Sequence, residues 1–209
     1  MNIALSLILA VMLATADAQA PPVQRVGNCN VRPGTLCSNM NLRGADLAGA
    51  NLRHSQFTGS VLAGANLSGA NLDEANLSGT DLRNANLHAA SLRRLNARGA
   101  RFEDANLSNA ELNSAVLQNA NLTRSDLTDA KLLGANLAHA RLDKAKLGGA
   151  QLAHASMRSS WLRGASLMGA NLEGANLSGA DLTDADLTGA NIDHAVFGRA
   201  RTAGCKGCP

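Results

Sequence analysis

Tyrosine is absent from this 209-residue chain, tryptophan occurs once and phenylalanine three times. A globular core of this size draws on more large aromatics, so the 45% hydrophobic content, mostly Ala and Leu, must pack in some other way. Cysteine is missing from the whole middle of the chain, being confined to positions 29, 37, 205 and 208. No apolar run beyond the first twenty residues is long enough to span a bilayer. Enzyme signatures are missing too: there is no G-x-S-x-G, no phosphate-binding loop and no G-x-G-x-x-G. Charge is present in both signs, with 19 basic and 16 acidic residues and a formal +3. That mild balance does not by itself point to nucleic acid.

What is present begins with MNIALSLILAVMLATADAQA, an apolar run ending in small residues. It reads as a secretory signal, with cleavage after Ala18 favoured. A cut after Ala20 would place Pro21 next to the scissile bond, and an uncleaved anchor is the other alternative. The expected destination is the periplasm or the medium. Twenty glycines and many asparagines then argue against long helices.

Internal repetition dominates the remainder. Starting at Leu42 and stepping by five, the chain reads Leu47, Leu52, Phe57, Leu62, Leu67 and onward to Leu187, Ile192 and Phe197, without one insertion or deletion. Two residues before each later centre stands a small residue, from Ala45, Ala50, Ser55 and Ser60 to Ala195, with Leu95 an exception. A period of five matches neither a helix nor a simple strand. With repeats written ANLSG, ADLAG and ADLTD, the chain resembles the pentapeptide-repeat family over residues 40 to about 200. The resemblance implies an all-β fold, a right-handed quadrilateral parallel β-helix of about eight coils with twenty residues each. It also implies that the central Leu and the small residue two before it point inward, and that the other three positions face out.

The charges support the twenty-residue coil separately. If coils stack about 4.8 Å apart, residues n and n+20 are neighbours and opposite charges should meet there. Asp73 falls between Arg53 and Arg93, and Glu74 opposite Arg94. Asp81 meets Arg101, Arg83 meets Glu103, Asp104 meets Arg124 and Glu111 meets Lys131. Asp126 meets Lys146, Asp143 meets Arg163 and Asp181 meets Arg201. Like charges meet only as Arg124 with Lys144 and Glu173 with Asp193.

One stretch, SLRRLNARGARF from Ser91 to Phe102, breaks the order: Leu95 stands where Ala belongs and Ala97 where Leu belongs. Leu95 alone would overpack the core and Ala97 alone would leave a cavity. Together they hold its volume, so the two departures read as compensation rather than as a site.

The expected organisation is a signal peptide (1–18), an N-terminal cap segment with Cys29 and Cys37 (19–39), the solenoid (40–201) and a C-terminal tail with Cys205 and Cys208 (202–209). About eight coils would hold the two cysteine pairs roughly 40 Å apart, so Cys29–Cys37 and Cys205–Cys208 is the economical pairing, and export would place them in an oxidising environment. For Cys205-Lys-Gly-Cys208 a free or intermolecular thiol pair and a redox or metal dithiol remain as alternatives.

His54, His88, His139, His154 and His194 all fall in outward positions, and no two are twenty apart, so no metal site and no cofactor is expected. A regular β-helix also lacks the long loops that carry catalytic groups, and no catalytic residue is assigned. The candidate binding residues are Arg101, Arg124, Arg141, Lys144, Trp161 and Arg163, which share one face. Trp161 lies directly above Arg141, within reach of a cation–π contact. A thinner stripe carries Arg98, Arg158 and Arg199 with no acidic residue on its face. The leading expectation is a non-catalytic exported scaffold that binds an unidentified partner through its faces. The resemblance supplies a rival, since some members of the family mimic DNA and protect gyrase from quinolones. That role needs a strongly negative surface, which this chain lacks. A third reading is binding of anionic envelope polymers through the Arg141–Trp161 face.

Overall fold

A computed structural model describes residues 24–209. The expected signal peptide and its cleavage sites lie outside the described residues. The first described elements are two short strands, β1 (Gln24–Val26) and β2 (Cys29–Val31), paired antiparallel as a hairpin with Val26 opposite Cys29. From there on, parallel bridges join residue n to residue n+20 at every fifth position, from Leu36↔Gln56 to Asp186↔Lys206. Four bridged sides per twenty-residue coil make this an all-β parallel solenoid.

One repeat shows why the sequence takes this path. The Leu67 amide donates to the Asn86 carbonyl of the following coil at 2.7 Å, and the Asn66 amide to the Ala45 carbonyl of the preceding coil at 2.9 Å. Two adjacent residues thus pair in opposite axial directions, so each coil is bonded on both sides. The corner follows at once: the Ala70 amide donates back to the Leu67 carbonyl at 3.0 Å, closing a β-turn whose third residue, Gly69, has φ +63°. A positive φ only at that position marks a type II turn. Nineteen non-glycine residues among those described are nonetheless held left-handed, all of them at this turn position. Among them Asn, Asp and His tolerate the conformation best.

The Asn or Asp before each centre has its own work at the corner. Its side-chain oxygen accepts the amide two residues on, as in Ala48 N–H to Asp46 Oδ1 at 3.3 Å and Thr128 N–H to Asp126 Oδ1 at 3.0 Å. This is the local bond that Asx residues make in turns. Asparagine amides also link coils: Asn66, Asn86 and Asn106 each donate to the Asx oxygen twenty residues earlier, at 3.0, 3.4 and 3.3 Å.

Inside, the leucines and alanines of the repeat form one continuous column, nearly all fully buried. Serines and threonines that replace the inward alanine return their hydroxyls to the backbone. Thr80 Oγ1 donates to the Phe57 carbonyl at 2.7 Å and Ser125 Oγ to the Leu122 carbonyl at 2.8 Å. A buried hydroxyl without such a bond would be costly. Leu95 and Ala97 are both fully buried, so the inverted repeat stays inside the core.

The register runs past the expected ends at residues 40 and 201. Cys37 takes the inward central position one step before Leu42 and is fully buried, bonded to the buried Cys29 of β2. The hairpin therefore lies over the first coil, with Val26 and Val31 packed on the core. At the other end, Arg201 and Lys206 still bridge Asp181 and Asp186. The Cys205–Cys208 disulfide closes the tail, and Ile192 and Phe197 are only partly buried because no full coil covers them. Both cysteine pairs are those expected from the sequence. No helix among the described residues is long and apolar enough to cross a membrane.

Candidate functional site

The six residues singled out from the sequence do share a face. Bridges run Arg101↔Asn121↔Arg141↔Trp161↔Asp181↔Arg201, which puts Arg101, Arg141 and Trp161 in one column along the rod. Arg124 and Lys144 stand at the left-handed turn position of the same side, and Arg163 lies between the two columns. Arg141 approaches the Trp161 ring to 5.4 Å, as expected, and Arg163 approaches it more closely, to 4.7 Å. Trp161 is thus braced by two guanidinium groups while remaining 44% exposed.

Most of these cations are already engaged. Arg124 grips Asp104 through two bonds of 2.7 Å, which hold the Asp104 carboxyl below its ordinary range. Arg101 turns to Glu103 of its own coil at 3.4 Å instead of to Asp81. Asp81 is taken by Arg83, at 2.8 and 2.6 Å. Arg163 lies between Asp143 and Asp181, at 3.5 and 3.6 Å, and Arg141 reaches Asp143 at 3.9 Å. Of the opposite-charge pairs expected at n and n+20, six close as ion pairs: Asp73–Arg93, Asp104–Arg124, Glu111–Lys131, Asp126–Lys146, Asp143–Arg163 and Asp181–Arg201. Glu74 faces His54 at 3.6 Å instead of Arg94. Asp73 is the most enclosed of these carboxylates. Burial alone would raise its pKa, but hydrogen bonds from Ser91 at 2.6 Å and from Arg93 outweigh that and hold it low.

The adjoining side differs. Its residues, from 36–40 and every twentieth block on to 196–200, contain no Asp or Glu. Arg158 and Arg199 make no ion pair with a described residue, and the Arg98 guanidinium bonds the neutral amide of Gln118. Where this acid-free side turns into the tryptophan-bearing one, the surface folds into a cleft of about 320 Å³. Trp161 and Arg163 form one wall, and Arg199 and Arg201 of a later coil form the other. Gly179 and Asp181 lie between them, one coil from each. A Cβ on Gly179 would come within 3.3 Å of Ser159 Oγ, so a side chain at that position would crowd the cleft. Asp181 crosses the cleft electrostatically, 3.6 Å from Arg163 and 3.8 Å from Arg201. The Thr183 hydroxyl donates to it at 2.6 Å and holds its carboxyl below the usual range, so it stays ionised at neutral pH.

The sequence put Trp161 and Arg163 on one face, Arg199 on another and Arg201 opposite Asp181, but did not join them with Gly179 in one cleft. The signal was available in the triplets 159–179–199 and 161–181–201, each spaced by twenty. No group of three or more His, Cys, Asp or Glu among the described residues is arranged to hold a metal ion.

Eight copies of the pentapeptide-repeat family model match the chain between residues 34 and 201. Among solved structures, HetL, a pentapeptide repeat protein involved in heterocyst differentiation regulation from the cyanobacterium Nostoc, is 32% identical. The match covers 83% of this chain and 87% of HetL, with a TM-score of 0.61. A pentapeptide repeat protein from the Arabidopsis thaliana thylakoid lumen is 31% identical over 48% of this chain and 70% of its own, with a TM-score of 0.47. Trypsin-treated QnrB1, a plasmid-mediated fluoroquinolone resistance protein, is 18% identical over 79% of this chain and 88% of its own, with a TM-score of 0.48. No curated protein matches the chain.

Proposed function

Because this chain belongs to the pentapeptide-repeat family, we propose that it is a non-catalytic, exported interaction scaffold: a rigid rod that presents outward side chains at fixed spacing to a partner. The observation that carries this reading is the unbroken n to n+20 bridging from Leu36 to Lys206, with a tight turn at each corner and no inserted loop. Every outward position then belongs to a lattice about 5 Å apart along the rod and cannot move independently of its neighbours. Such a lattice suits recognition across several coils. It suits catalysis poorly, because catalytic groups normally sit on loops that project from a scaffold.

Export is supported by the apolar segment expected to be removed after Ala18 and by two disulfides that leave no described cysteine free. A DNA-mimicking role is disfavoured by the net +3 and by a whole side without carboxylates, since a surface that imitates phosphates must be negative. The test is the intact mass of the protein recovered from its host without reductant, before and after thiol alkylation. The reading expects loss of residues 1–18 and no alkylation. A full-length mass with four alkylated cysteines would overturn export, and a gyrase-protection assay would then be the next step.

A further inference from the structure

The cleft at the corner between the acid-free side and the tryptophan-bearing side has a charge that the rod itself does not balance. Three guanidinium groups line it against one carboxylate, Asp181, a local excess of two positive charges. Including the Arg141 and Asp143 just below leaves the same excess. On the tryptophan-bearing side the basic residues mostly find acidic neighbours at 2.6–3.9 Å, whereas Arg199, on the acid-free side, finds none among the described residues, as Arg98 and Arg158 find none. The missing carboxylate cannot come from the adjoining side, which contains none. What sets Arg199 apart from Arg98 and Arg158 is that it lines a concave place together with Arg163 and Arg201.

We propose that this cleft binds a tetrahedral dianion, the phosphate group of a monoester, held between Arg163 on one wall and Arg199 and Arg201 on the other. Guanidinium forks match the oxygens of such groups in pairs, and a charge of minus two neutralises the local excess where a carboxylate would leave one positive charge. Asp181 keeps Arg163 and Arg201 in place without saturating them, because neither contact is shorter than 3.6 Å. Trp161 supplies an apolar wall beside the anion, suited to the ring or chain that carries the ester. Gly179 leaves the room for it. This inference rests on the interaction-scaffold reading and narrows it to one place and one ligand chemistry. It can fail while that reading stands, because the partner would then hold another face.

Trp161 is the only tryptophan of the chain, so its fluorescence reports on the cleft directly. The folded protein is titrated with sodium phosphate at pH 7.5 and constant ionic strength, with chloride as the exchanging anion and acetate as the monoanionic control. A saturable change with phosphate and sulfate is expected, with acetate at least about tenfold weaker. Arg199→Gln removes one guanidinium of the wall it shares with Arg201, at an exposed position without an ion pair among the described residues, and Gly179→Asn fills the floor with a residue that tolerates left-handed backbone. Each should weaken phosphate binding by about tenfold or more while the circular dichroism stays unchanged. Glucose 6-phosphate and a short oligosaccharide bearing a phosphate monoester then separate the sources. Tighter binding of the first assigns a small metabolite and tighter binding of the second an extended polymer. A response that acetate reproduces, or that survives both substitutions, overturns the site. A partner complex that survives Arg199→Gln would leave the scaffold reading standing without this cleft.

Discussion

Exchanging Leu95 and Ala97 would test whether the core is one continuous volume or a set of independent repeats. Leu95 is fully buried, and Leu95→Ala removes three carbons, about 2.4 kcal/mol of transfer free energy before any cavity is counted. With the cavity the expected cost is about 3–4 kcal/mol. Ala97→Leu alone adds the same atoms to a filled site, at about 1–3 kcal/mol. If the two positions were unrelated, the double variant would lose the sum, about 4–7 kcal/mol. Two residues apart on one inward-facing segment, they instead exchange volume, and the double variant restores the small-then-large order of the neighbouring repeats. It should lie within about 1 kcal/mol of the native chain, a coupling of about 3 kcal/mol or more. Guanidinium denaturation followed by far-ultraviolet circular dichroism and by Trp161 fluorescence measures this, and coincident transitions confirm that single free energies apply. Additive losses would refute the compensation and make the inversion a local strain that the rod merely tolerates.

Three further outcomes follow from the same geometry. Cys37→Ser opens the eight-residue loop to Cys29 and should cost about 2.5 kcal/mol, with amide exchange quickening first in the hairpin that lies over the opening coil. Ala89→Gly replaces an alanine held at φ +53°, and relief of that strain less the greater freedom of glycine when unfolded should stabilise the rod by about 0.5–1 kcal/mol in a thermal scan. Acid should weaken the protein in one direction only. Asp81 and Asp104 are held below the ordinary range by hydrogen bonds from Arg83 and Arg124, Asp181 and Asp186 by bonds from Thr183 and Thr188. For Asp73 and Asp126 burial pulls upward, but hydrogen bonds prevail. A carboxyl whose folded pKa is lowered contributes stability that is complete above its unfolded value near 4 and is lost as pH falls through the folded value. Denaturation midpoints should therefore change little from these groups between pH 7 and 5 and fall steadily below about pH 4. A midpoint unchanged down to pH 2 would show that the ladder contributes nothing.

The fivefold period, the twenty-residue coil and the pairing of the end cysteines could be derived from the order of residues, and the inward leucines and alanines were implied by the family resemblance that this order carries. A repeat that returns every side chain to an equivalent environment after twenty positions leaves little for distant contacts to decide, so local pattern and global fold coincide. The partners of the surface charges could not be derived in the same way. Arg101 has Asp81 twenty residues back and Glu103 two residues ahead, and it takes the second. Arg163 takes Asp143 at twenty and Asp181 at eighteen. Long side chains on a grid of about 5 Å reach several carboxylates at similar energy, and rotamer packing makes the choice. The ends were decided there as well: the repeat pattern did not reveal that Cys37 enters the core or that β1 and β2 fold over it. The cleft is the same case in concave form. Each of its walls is an ordinary outward position, and only the three-dimensional stacking of Trp161, Gly179 and Arg199 at one corner brings three guanidinium groups around a missing side chain.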